Sequence, residues 1–239
     1  RAAFFVTDEI GTNDDGRYFS RDLARWGATG PERVRAAARW YSDNNFLTFG
    51  MANLFSRAQC PNVENFAACV VIGNGGGIGV ATFTNRSILN LTNMGTAGAG
   101  IYLGGTGGTG ALGDGSLTVS GGSHISIQAA PGLAQLSVAR DGSALMRIKG
   151  ASTVNVGDGD VQVARFSGSD GTVILSENSV LSAGWIGVGR NKTATGSEDG
   201  GTGTFVLANS TLVAHNIVIG SIGFLGGSGV ISGNIENHG

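Results

Sequence analysis

Asp114, Asp141 and Asp170 each stand directly before a glycine. If successive turns of one repeat stack, these carboxylates come to lie about 4.8 Å apart. Like charges that close repel unless water solvates them or a cation bridges them. Calcium, a hard cation that takes carboxylate oxygens, is the candidate ligand. The competing reading, favoured here, is ordinary Asp-Gly turn chemistry, with the side chain capping its own turn and glycine at positive φ. No other cofactor is expected.

Other reactive side chains are sparse. The only two cysteines, Cys60 and Cys69, share the segment CPNVENFAAC. One local disulfide in an oxidising compartment fits them better than two reduced thiols. His124, His215 and His238 fall at different repeat positions, so no serine–histidine–aspartate order can be argued. VVIGNGGGIGV, residues 70–80, does not hold its glycines in the dinucleotide-binding register, and no helical pattern follows it. The chain is therefore read as a non-enzyme. A carbohydrate-active solenoid, lyase or hydrolase, is the rival, because such enzymes gather acids, basic residues and aromatics in one groove.

The elements that would position these residues follow from composition and pattern. The chain has 239 residues, 43 of them glycine, with 41% hydrophobic and only 13% charged residues. That balance is too apolar for disorder. With 3 prolines and no three-residue glycine period it is not collagen. A net charge of -2 gives no field for nucleic acid. No apolar run is long enough to span a bilayer.

Residues 1–69 hold most of the aromatic residues and more than half of the basic ones. They are expected to form a cap with a small helix starting near Pro31, on which Val34, Ala37, Ala38 and Tyr41 share one face. Arg33, Arg35 and Arg39 lie off that face and read as a solvated surface rather than a nucleic-acid patch. The apolar stretch from Phe46 to Phe55 is expected to pack into a core or over an open solenoid end.

Residues 70–239 repeat. Each unit opens on a glycine: Gly79, Gly115, Gly142, Gly171 and Gly203. Two positions on stand Ala81, Leu117, Ala144, Val173 and Phe205, and two further on Phe83, Val119, Met146, Leu175 and Leu207. A serine follows in each unit (Ser87, Ser123, Ser152, Ser179, Ser210). It leads a second strand whose inward pairs are Leu89 and Leu91, Ile125 and Ile127, Val154 and Val156, Leu181 and Ala183, and Leu212 and Ala214. A third strand covers 101–103, 136–138, 161–163, 186–188 and 217–219. Apolar residues inside and mainly polar residues outside, at period two, mark half-buried strands. Three strands per turn predict an all-β fold, a three-faced parallel β-helix. Uneven unit lengths predict corner insertions, such as NKTATGSEDGG before Gly203.

GTFVLANSTLVAHNIVIGS and GTVILSENSVLSAGWIGVGR, with GSGVISGNIENHG, resemble the β-strand repeats of secreted bacterial surface proteins. They look like autotransporter passenger regions and the repeat regions of PEP-CTERM-type exported proteins. The resemblance covers about residues 70–239 and implies a right-handed β-helix on the outer surface of a Gram-negative cell. It brings no catalytic residues with it. Gly239 falls inside a glycine-rich pattern, so the natural protein is expected to continue.

Together these readings point to an extracellular structural or adhesive protein, such as a matrix, surface-layer or filament subunit, that associates with itself. Other surface proteins or glycans are further candidate partners. The residues expected to be covered by a partner are an outward apolar row, Leu145, Ile174 and Val206, with Val213 and Val218 on the last full unit.

Overall fold

A computed structural model describes residues 46–51, 66–74, 77–93, 98–105 and 112–239. The chain runs β1 (Phe46–Met51), β2 (Phe66–Asn74), β3 (Ile78–Phe83) and β4 (Ile88–Asn93). The next turn is β5 (Gly98–Leu103), β6 (Asp114–Val119) and β7 (His124–Ala129), and the one after is β8 (Ala134–Val138), β9 (Ser143–Ile148) and β10 (Thr153–Asn155). Then come β11 (Asp160–Val163), β12 (Asp170–Ser176) and β13 (Val180–Val188), which turns a corner without breaking. A hairpin of β14 (Arg190–Thr193) and β15 (Gly196–Asp199) precedes two long strands, β16 (Thr202–Ile219) and β17 (Gly223–Asn237).

All pairings except the β14–β15 hairpin are parallel, each strand to its counterpart one turn away. The result is a parallel β-solenoid, all-β among the described residues. The first face stacks β3, β6, β9, β12 and the start of β16. The second stacks β4, β7, β10, the start of β13 and the middle of β16. The third stacks β1, β2, β5, β8, β11, the end of β13 and the end of β16. β1 and β2 carry this parallel sheet further toward the N-terminus than residue 70. The expected helix near Pro31 lies outside the described residues.

Strands pair in this way because each inward column is apolar from end to end. On the second face Ile125, Val154, Leu181 and Leu212 stack in register and are fully buried. The third face contributes Ile101, Leu136, Val161, Ile186 and Ile217. Every inward position named from the sequence is buried except Leu89, which is half-buried.

One alignment is corrected. Gly115 and Gly171 pair with Ala144, not with Gly142, so Leu117, Met146 and Val173 form one column and Val119, Ile148 and Leu175 the next. The expected register of β9 is two residues out. A two-residue slip keeps inward residues inward, so the alternating pattern cannot reveal it. Gly142 instead serves the corner, where a Cβ would run into the carbonyl oxygen of Gly113.

The repeated serine marks a second device. Ser123, Ser152 and Ser179 are buried at the corner between the first and second faces. The Ser123 N–H donates to Ser152 Oγ, and the Ser152 N–H to Ser179 Oγ, each at 3.1 Å. Ser123 Oγ in turn accepts the Ser87 N–H at 3.1 Å and donates to the Ser120 carbonyl at 2.7 Å. The two residues before each of these serines take left-handed backbone, including the non-glycine residues Ala151, Glu177 and Asn178. The hydroxyl ladder thus satisfies backbone groups that the sharp corner removes from the sheet. Replacing Ser152 with alanine leaves the buried Ser123 N–H unpaired, and urea unfolding should show a loss of about 1–3 kcal/mol. An unchanged midpoint would show that the ladder carries no stability.

Candidate functional site

The third face differs from the other two in what lies outside it. Its outward column runs Val71, Tyr102, Ser137, Gln162, Gly187 and Val218, and all of these are buried. A surface sheet face is ordinarily wet, so something covers this one.

The cover starts with aromatic rings laid flat along their strands over glycines. Tyr102 lies over Gly100, where an added Cβ would stand 3.0 Å from the ring. Trp185 covers Gly187 so closely that a Cβ there would clash with the indole. Above the rings come cations. The Arg140 guanidinium sits 5.6 Å from the ring centre of Tyr102 and 5.6 Å from that of Phe166. Arg165 lies 4.8 Å from the Phe166 centre, and Lys192 5.7 Å from Trp185. Such distances give cation–π attraction, stronger where water is excluded.

Backbone repetition sets this layer. Arg140, Arg165 and Arg190 each directly follow a left-handed residue, Ala139, Ala164 or Gly189, at the end of a third-face strand. Successive coils therefore deliver guanidinium groups to the same corner. The pattern is legible in the sequence as Val-Ala-Arg, Val-Ala-Arg and Val-Gly-Arg at 138–140, 163–165 and 188–190. It escapes an alignment anchored on the first strand, because the connection between third and first faces varies in length.

The corner insertion before Gly203 is the β14–β15 hairpin, and it lies against this layer. Lys192 Nζ donates to Asp160 Oδ1 at 2.6 Å. Asn191 Oδ1 accepts from Arg165 Nε at 3.0 Å, while Asn191 Nδ2 donates to Glu198 at 2.6 Å. Arg190 Nη1 donates to Asp199 Oδ1 at 2.7 Å, holding that carboxyl below the usual range. Arg165 also donates from Nη1 to Gln135 Oε1 at 3.2 Å. Burial lowers the pKa of Arg165, and the neighbouring charge of Arg140 adds to the effect. Burial raises the pKa of Asp160, and Lys192 offsets part of that rise.

The residues singled out from the sequence lie elsewhere or only at the margin. Asp114 and Asp170 share one outward column of the first face with Ser143 between them, about 9–10 Å apart at two coil spacings. Asp141 is not in that column. It sits in the corner beside Gly105, with Oδ2 3.9 Å from Arg140 Nε. These three residues therefore do not form the stacked carboxylates expected for calcium. Asp114, Ser143 and Asp170 do line a shallow groove of about 460 Å³ on the first face.

The apolar row is also corrected. Ile174 and Val206 are neighbours, but Arg147 stands where Leu145 was expected, and Leu145 belongs to the adjacent column with Ser116 and Thr172. Val213 is exposed between Ser182 and Ser232. Val218 is buried on the third face beside Gly187. No continuous stripe forms. Cys69 lies in β2, whereas Cys60 falls outside the described residues, and the expected disulfide with it.

Comparison with family models, curated proteins and solved structures gave no match.

The Lys192–Asp160 pair gives a pH signature. A carboxyl whose folded pKa is raised favours the folded state when protonated and costs stability as pH rises through that pKa. Lys192→Met removes the offset, so the cost at neutral pH should grow by about 1–3 kcal/mol. The deficit should vanish near pH 3, where Asp160 is protonated, and the added change Asp160→Asn should restore stability at pH 7. Urea midpoints at both pH values check this. A deficit equal at both would show that Lys192 acts only through packing.

Proposed function

We propose that the chain is an extracellular structural or adhesive β-solenoid of a bacterial cell surface that associates with itself. The observation that carries this reading is the surface of β17. Along its length β17 pairs with β16, and its other edge meets no strand among the described residues. Ile231 and Ile235 continue the inward columns of Leu212 and Ile217, yet they are 37% and 52% exposed. Phe224 and Val230 beside them are 56% and 60% exposed. An open strand edge beside exposed inward columns is a surface that one more parallel coil would cover, whether from a continuation of this chain or from a second copy. A parallel coil from a second copy, laid in register, would pair the edge and bury these side chains together. Self-association thus rests on the last coil and not on the outer face of the first sheet.

The rival, a carbohydrate-active enzyme, is favoured by the third face, which gathers acids, basic residues and aromatics in one place. Self-association has the stronger support, because Asp160 and Asp199 are already engaged by Lys192 and Arg190.

Light scattering over a range of concentrations tests the proposal. The chain should exceed its monomer mass, and Ile231→Lys with Ile235→Lys should return it to monomer with an unchanged far-ultraviolet spectrum. A parent chain that stays monomeric at every concentration would overturn the proposal.

A further inference from the structure

The inward third-face column from Ile101 to Ile217 extends at both ends. Val70 of β2 and then Leu47 of β1 stand in register before Ile101. Ile235 of β17 stands in register after Ile217. The column is therefore apolar from its first described strand to its last. Both of those strands have an unpaired edge: among the described residues β1 pairs with β2 alone, and β17 with β16 alone. The two edges face opposite ways along the solenoid axis, and the strands that carry them run in the same direction. Neither edge has the usual guards against pairing, which are lysine, proline and repeated charge. β1 reads FLTFGM and has no charged residue, and Glu236 is the one charged residue of β17.

We propose that β1 is the docking surface for β17 of a second copy, so that chains add head to tail along the solenoid axis. This inference rests on the reading that the chain associates with itself, and it names the surface that receives β17. In a parallel sheet each strand follows the last by a shift along the axis. A second copy shifted in the same way lays Asn234–Asn237 beside β1, with Ile235 next to the position of Leu47. The apolar column then continues across the junction, and both free edges are paired. Two copies meeting through β17 alone would instead be related by a two-fold axis. Their strands would pair antiparallel, which breaks the like-on-like columns kept everywhere else in the solenoid. A contact between two different surfaces leaves a free β1 at one end and a free β17 at the other. Growth along the axis does not close, and the product is an open filament one solenoid wide.

Light scattering of the full chain with complementary variants is the test. Ile231→Lys with Ile235→Lys blocks β17 and leaves β1 free. Leu47→Lys blocks β1 and leaves β17 free, because a charge at an inward position of an edge strand opposes pairing. Each variant alone should be monomeric with the far-ultraviolet spectrum of the parent. An equal mixture of the two should reach twice the monomer mass and stop there. The mass of the parent should keep rising with concentration, and small additions of the β17-blocked chain should lower it by capping the growing end. Capping leaves β1 unaltered, so it decides the matter even if Leu47→Lys folds poorly. A β1-blocked chain that still dimerises by itself overturns head-to-tail docking and leaves self-association standing. So does a β17-blocked chain that leaves the parent mass unchanged. A parent that stays monomeric at every concentration overturns both.

Discussion

Parallel stacking of like on like, at about 4.8 Å per coil, is the constraint on which the rest of this molecule depends. Each coil finds its backbone partners only in the coils before and after it, so a side chain at one position lies against its counterparts above and below. For inward positions the consequence is favourable: Ile125, Val154, Leu181 and Leu212 form one dry column in which each residue buries its neighbours. At corners the same rule repeats a backbone problem in every turn. The buried serines answer it at one corner, and left-handed glycine or alanine residues answer it at another.

The rule becomes costly when a charged residue recurs. Arg140, Arg165 and Arg190 arrive at one corner on successive coils, and their mutual repulsion must be offset. The offsets are local and differ from coil to coil. Tyr102 and Phe166 flank Arg140, amide oxygens receive Arg165, and the inserted hairpin brings Asp199 to Arg190. The hairpin is in this sense part of the third face, since it also places Lys192 against Asp160 and Trp185. The first and second faces carry short polar side chains over much of their outer surface. The third is roofed, and among the described residues it is the face on which aromatic and charged side chains form a layer.

How much of this was legible in the sequence follows from the same geometry. Period-two alternation gives inward and outward sides without ambiguity, and so the face structure and nearly all the buried columns could be read directly. Alternation is blind to slips of two residues, which is why Ala144 was aligned with Leu117 and why Leu145 was placed beside Ile174. The same slip misplaced Asp141. The cover on the third face left a signal, the repeated Val-Ala-Arg or Val-Gly-Arg, but the significance of that signal depends on where the corner points. No pattern in the sequence states that Tyr102 and Trp185 lie flat over Gly100 and Gly187, because both strand neighbours must be seen together before the gap above each glycine is apparent. The open edge of β17 is likewise a matter of pairing rather than of composition.

All of these features follow from coil register, and cysteine pairing measures that register. Thr118→Cys with Arg147→Cys puts two side chains at adjacent outward positions of β6 and β9. Thr118→Cys with Leu145→Cys moves the second thiol two residues along the strand. Mild oxidation followed by peptide mass mapping should find the 118–147 crosslink formed readily and the 118–145 crosslink formed poorly. The reverse preference would contradict the register and, with it, the placement of every column described for the first face.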